Sequence, residues 1–124
     1  MFTISNFCWT TLNVKNMEKS LDFYETFLGL TLNNRFNAGP HMEIAFLGDG
    51  DTQVELIYNS EVKDIAYGND ISLGFTVPSL EDMINKLQSI GIKPLTDIYQ
   101  PNPNVRFFFI QDPNGLKIQF VEMN

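Results

Sequence analysis

Two periodicities divide the chain. From residue 7 to residue 14 apolar and polar positions alternate, so Trp9, Thr11 and Asn13 share one face while Cys8, Thr10, Leu12 and Val14 share the other. A period of two predicts a half-buried strand. The spacing then lengthens: Met17, Leu21, Tyr24 and Leu28 recur as a helical stripe, widened by Phe23 and Phe27. Asn16 stands where a capping side chain is needed, Glu18 suits the positive end of the helix, and Gly29 supplies a stop. Strands are expected at 30–36 and 42–47, separated by Asn37-Ala38-Gly39-Pro40. The Gly48–Asp51 turn then leads into Gln53-Val54-Glu55-Leu56-Ile57-Tyr58.

The same order returns after a charged, aperiodic linker at 59–69. A strand is expected at 71–77, then a helix capped by Ser79 with Glu81 and Asp82 in its first turn. Leu80, Met83, Ile84, Leu87 and Ile90 form its apolar stripe and Gly91 ends it. Strands are predicted at 92–98 and 105–110, with residues 99–104 as a loop between them. The chain closes on a hairpin through Asp112-Pro113-Asn114-Gly115, after which Leu116, Ile118 and Phe120 face one way and Lys117, Gln119 and Val121 the other.

Val14 matches Val77, Phe46 matches Phe109, and Leu28-Gly29-Leu30 matches Ile90-Gly91-Ile92, the last with one residue fewer before it in the second half. With one extra residue in the second turn, Glu55 also matches Gln119. An internal duplication follows. The expected fold is α+β: two βαβββ modules, residues 1–62 and 69–124, in one domain. Curved mixed sheets would surround a central cavity, with one helix per module outside.

Composition narrows the function. With 124 residues the chain can bury a core, and its 11 Phe suggest one walled by rings, or a pocket so walled. A single cysteine excludes an internal disulfide and a Cys-cluster metal site, and Cys8 reads as a small core residue. His41, the one histidine, has no thiol or acidic motif beside it to suggest a triad. The net charge of −7, without a Lys/Arg stripe, argues against nucleic acid. No apolar run reaches membrane-span length, and the first residues lack the pattern of a signal peptide, so a cytoplasmic location is expected.

At Trp9-Thr10-Thr11-Leu12-Asn13-Val14, Ser20-Leu21-Asp22-Phe23-Tyr24 and Leu28-Gly29-Leu30 the chain resembles the vicinal oxygen chelate superfamily. That group includes glyoxalase I, extradiol dioxygenases, fosfomycin-resistance enzymes and bleomycin-resistance proteins. Gln53-Val54-Glu55-Leu56, Asp112-Pro113-Asn114-Gly115 and Ile118-Gln119-Phe120 resemble its later signatures, so the likeness spans nearly the whole chain. The resemblance implies a divalent metal held from the first and last strands of each half, here Trp9, Glu55, Ser72 and Gln119. Of these only Glu55 is a normal ligand; an indole N–H donates only, and Ser72 and Gln119 offer weak neutral oxygens. The expectation is therefore no metal and no cofactor. The alternative is a glyoxalase-like lyase, isomerase or dioxygenase using Ni, Zn or Fe on atypical ligands Glu55, Gln119 and, if its loop folds inward, His41. The histidines of a fosfomycin-modifying enzyme are missing.

Without metal, the cavity faces become an organic ligand site, to which alternation directs Trp9, Thr11, Asn13, Gln53, Glu55, Ser72, Gly74, Thr76 and Gln119, with Phe107 and Phe109 lining the second half. Trp9 either stacks on a planar or cationic group or plugs the hollow. Glu55 either holds a cation or donor, serves as a general base, or is satisfied by Ser72 and Gln119. Arg106 either pairs with Glu55, meets an anionic ligand, or is a solvated surface residue. The expected protein is thus a small-molecule binder of the bleomycin-resistance type rather than an enzyme, and the resemblance implies a homodimer. A scaffold without a pocket, kept for partner binding, is the third class.

Overall fold

A computed structural model describes residues 2–124. Contacts divide the chain into two compact units, Met1–Ala66 and Tyr67–Asn124. The first contains strand β1 (Trp9–Asn13), helix α1 (Met17–Leu21) and strands β2 (Leu32–Asn37), β3 (Met42–Leu47) and β4 (Gln53–Asn59). Its sheet runs β1-β4-β3-β2, with β1 parallel to β4 and the other neighbours antiparallel. The second unit repeats this with β5 (Ser72–Thr76), α2 (Leu80–Ser89), β6 (Tyr99–Asn102), β7 (Val105–Gln111) and β8 (Lys117–Met123), in the order β5-β8-β7-β6. Two mixed four-stranded sheets in βαβββ order confirm the expected α+β class.

Each unit buries one sheet face beneath its helix. In the first, Leu12, Ala45, Leu47, Val54 and Leu56 meet Met17, Leu21, Phe23, Tyr24 and Phe27, all buried. Asn16 caps α1 as predicted, accepting from the Lys19 N–H at 3.0 Å. The helix then widens into a π-helical stretch over Asp22–Phe27, with Leu28 N–H bonded to Phe23 C=O. That i→i+5 register brings Phe23, Tyr24 and Phe27 together into the core, which leaves Leu28 at the margin. Gly29 follows with φ +77°, a conformation that costs a glycine little. Arg35 of β2 then ties the helix start to the sheet, donating to Glu43 at 2.8 Å and to Glu18.

In the second unit Phe108, Ile110, Ile118 and Phe120 are fully buried, together with Leu80 and Leu87 of α2. Ser79 caps α2 through the Asp82 N–H, and the Glu122 carboxylate accepts from the Leu80 N–H at 2.9 Å. Glu122 also accepts from Arg106 at 2.9 Å. These two donors, the backbone one foremost, hold its carboxyl below the ordinary glutamate value.

Several expectations require correction. The strand expected at 92–98 lies later, as β6, inside the predicted loop. Pro94 carries no N–H, and Leu95 and Thr96 instead bond Phe109 irregularly, one through its backbone N–H and the other through its hydroxyl. Pro101 is tolerated in β6 because that strand forms the sheet edge. Likewise β2 begins at Leu32, with a register shift before Asn34. Cys8 is exposed, standing just before β1 at the start of the strand. Ile90 is 52% exposed, since α2 has already ended. Arg106 does not stand free: alternation places it on the helix side of β7, paired with Glu81 and Glu122.

Candidate functional site

The face of each sheet turned away from its helix carries the predicted site residues. In the first unit the register sets Trp9 beside Gln53 and Thr11 beside Glu55, while on the other side of β4 Phe46 lies beside Glu55. Trp9, Thr11, Asn13 and Glu55 therefore share one face. The Thr11 hydroxyl donates to Glu55 Oε1 at 2.5 Å, so a donor to this carboxylate comes from within its own sheet. Glu55 is only 8% exposed. Its second oxygen has no protein donor among the described residues, yet no buried side-chain oxygen there lacks a partner, so Oε2 still reaches solvent.

Above this carboxylate the Trp9 and Phe46 rings meet across β4, edge to face with centroids 5.1 Å apart. Phe36 stacks beyond at 6.5 Å from Phe46. Trp9 remains 45% exposed. The result is an aromatic wall beside one polar acceptor, which suits a flat group carrying a donor or a positive charge. Phe46 and Phe36 were missed as site residues. The repeat held the signal for Phe46, because it aligns with Phe109.

In the second unit Ser72, Gly74, Gln119, Phe107 and Phe109 again share a face, in the same register: Gly74 beside Gln119, and Gln119 beside Phe109. Gly74 occupies the place of Thr11. A Cβ there would stand 3.1 Å from Gln119 Oε1, so the glycine makes room for the amide to lie across β5. Phe107 meets Phe109 edge to face at 5.8 Å and Tyr99 at 5.5 Å. A shallow cleft lined by Ile84, Leu95, Ile98 and Phe108 opens on the opposite, helix side of this sheet.

His41 does not join Glu55. Its Nε2 is 3.0 Å from Glu61, its Nδ1 is 3.4 Å from the Ser60 hydroxyl, and its carbonyl accepts from the Ser60 N–H. It is thus held at the far end of β4, five residues from Glu55, or roughly 16 Å along an extended strand. Among the described residues no three His, Cys, Asp or Glu side chains gather as a metal-holding group. None of the described helices is long and apolar enough to cross a membrane.

Two duplicated βαβββ units with this register define a recognisable class, and the chain belongs to the Glyoxalase/Bleomycin resistance protein/Dioxygenase superfamily, whose family model matches residues 6–120. Among its relatives is a lactoylglutathione lyase of Neisseria meningitidis, 30% identical over 123 residues that cover 91% of this chain and 87% of the relative. The glutathione transferase FosA of Serratia marcescens is 30% identical over 115 residues, covering 88% and 74%. The glyoxalase family protein of Bacillus cereus shares the fold at TM-score 0.84 and 20% identity, covering 98% of this chain and 96% of its own.

Proposed function

We propose that this protein is a metal-free member of its superfamily that binds a small organic molecule carrying a planar, cationic or hydrogen-donating group. The observation that carries this reading is the Thr11–Glu55 hydrogen bond beside the Trp9–Phe46 ring pair. Thr11 holds one carboxylate oxygen and fixes the rotamer, which leaves the other as a directed acceptor beneath an exposed indole. A ligand cation there replaces water with a charge-assisted hydrogen bond and a ring contact.

The donor chemistry supports leaving the metal out. Of the four positions that the family likeness assigns to metal, Glu55 alone supplies an anionic oxygen, and a serine hydroxyl and an amide cannot make up for the two missing ligands. An indole cannot coordinate through its N–H. The names of the relatives favour the other reading, a lactoylglutathione lyase-like metalloenzyme centred on Glu55.

The deciding test titrates metal-stripped protein with benzamidine while following Trp9 fluorescence and thermal unfolding, beside the same measurements with Ni, Zn and Fe(II). Quenching and a rise in Tm with benzamidine, both lost in Glu55→Gln, support the organic site; no change overturns it. Stoichiometric metal that is released by Glu55→Gln and confers lyase turnover overturns the metal-free reading. The homodimer belongs to the same proposal, and sedimentation showing a monomer at tens of micromolar would remove it.

A further inference from the structure

The open face of the second sheet is graded in a way the first is not. Register fixes three rows across β5, β8 and β7: Ser72, Lys117 and Gln111; then Gly74, Gln119 and Phe109; then Thr76, Val121 and Phe107. The first row is polar and cationic, the second pairs an amide with a ring, and the third is largely apolar. Tyr99 of β6 extends the apolar end beside Phe107.

Lys117 stands out among the cations. Arg35 and Arg106 are each tied to two glutamates. Lys117, by contrast, has no ion-pair or hydrogen-bonding side-chain partner among the described residues, although it is half-buried and the chain carries a net charge of −7. A partly desolvated ammonium without a counter-ion, beside an amide and a hydroxyl, favours an anion.

We propose that this face binds the carboxylate of a small aromatic or apolar acid, with Lys117 receiving the charge and Phe109 and Phe107 the apolar body. One lysine matches one negative charge, whereas a phosphate dianion would call for more than a single cation. Successive rows lie roughly 6.6 Å apart, about the length of a benzoate. A carboxylate in the Lys117 row therefore sets a directly attached ring against Phe109, and a two-carbon spacer extends it toward Phe107 and Val121. Lys117 belongs to no metal position of the family likeness. The proposal rests on the ligand-binding reading for treating these open faces as ligand surfaces and adds the chemistry of the second.

The test uses the full chain and amide NMR with benzoate, 3-phenylpropanoate, neutral benzamide and phenylphosphate as probes, beside benzamidine. Benzoate should shift the Lys117, Gln119 and Phe109 resonances. Its Kd should weaken about tenfold in Lys117→Met, recover in Lys117→Arg, and exceed that of benzamide by a similar factor in tightness. Equal binding of benzoate and benzamide, benzoate binding untouched by Lys117→Met, shifts centred on Trp9, or tighter binding of phenylphosphate would each overturn it. Benzamidine binding at Trp9 without benzoate binding sinks this inference alone. Benzoate binding at Lys117 without benzamidine binding sinks the role given to Glu55, and silence from every probe sinks both.

Discussion

Replacing Thr11 with valine removes the hydroxyl that fixes Glu55 while keeping the β-branched shape that β1 favours. A hydrogen bond to a charged group contributes about 1.5–3 kcal/mol. Because Thr11 is itself exposed and water can reach the vacated position, the lower end of that range applies. Thr11→Val should therefore cost about 1.5 kcal/mol. With 124 residues, the unfolding entropy converts this to a Tm fall of about 6 °C. The assay is a double-mutant cycle by urea denaturation. In the Glu55→Gln background the same hydroxyl donates to a neutral amide oxygen, and its removal should cost nearer about 0.7 kcal/mol. The difference, about 0.8 kcal/mol, measures what the charge adds. An identical cost in both backgrounds would refute the reasoning, since the hydroxyl would then stabilise β1 without acting on the carboxylate.

Other expectations concern the frame that holds the two faces. Phe108→Ala empties a fully buried position against Phe120 and should destabilise by about 3–5 kcal/mol in urea unfolding. Asp112→Ala removes the acceptor for the Asn114 and Leu116 N–H groups, both at 2.8 Å, and should cost about 1–3 kcal/mol. Amide exchange should show that loss as faster opening of the β7–β8 hairpin. Gly115→Ala, with φ +90° but open space around the new Cβ, should cost about 1–2 kcal/mol from backbone strain alone. Glu122 has a depressed carboxyl, so its contribution is complete above the ordinary glutamate value and is lost as the pH falls below it. The drop in Tm between pH 5 and pH 3 should shrink in Glu122→Gln, and an unchanged drop would refute this.

Much of this architecture was legible because periodicity and punctuation agree. The Asn16 and Ser79 caps, the Gly29 and Gly91 stops and the Asp112–Gly115 turn all act through neighbours a few residues away. Errors arose where a distant partner decides. Pro94 is a local mark against the strand expected around it, but nothing local shows that Tyr99–Asn102 will pair with β7 instead. The π-helical register at Asp22–Phe27 likewise depends on three rings needing one core. For the candidate site, alternation placed Trp9, Thr11 and Glu55 on one face. It could not show that Thr11 would hold the carboxylate, or that Arg106 would turn toward Glu81 and Glu122.

The two units allow a comparison that no single site offers, because duplication keeps the register and varies the chemistry. The pair Thr11–Glu55 corresponds to Gly74–Gln119, and Phe46 corresponds to Phe109. The ring is kept in both. The donor and carboxylate of the first unit become a bare backbone and a neutral amide in the second, where the charge instead lies one row away on Lys117. Had these faces served only as packing surfaces, apolar residues would have been the stable choice at both Glu55 and Lys117, since burying a charge even partly costs solvation energy. Instead the two faces carry opposite charges, Glu55 directly beside Phe46 and Lys117 one row from Phe109, and each of those charges would be stabilised by a group of the opposite sign.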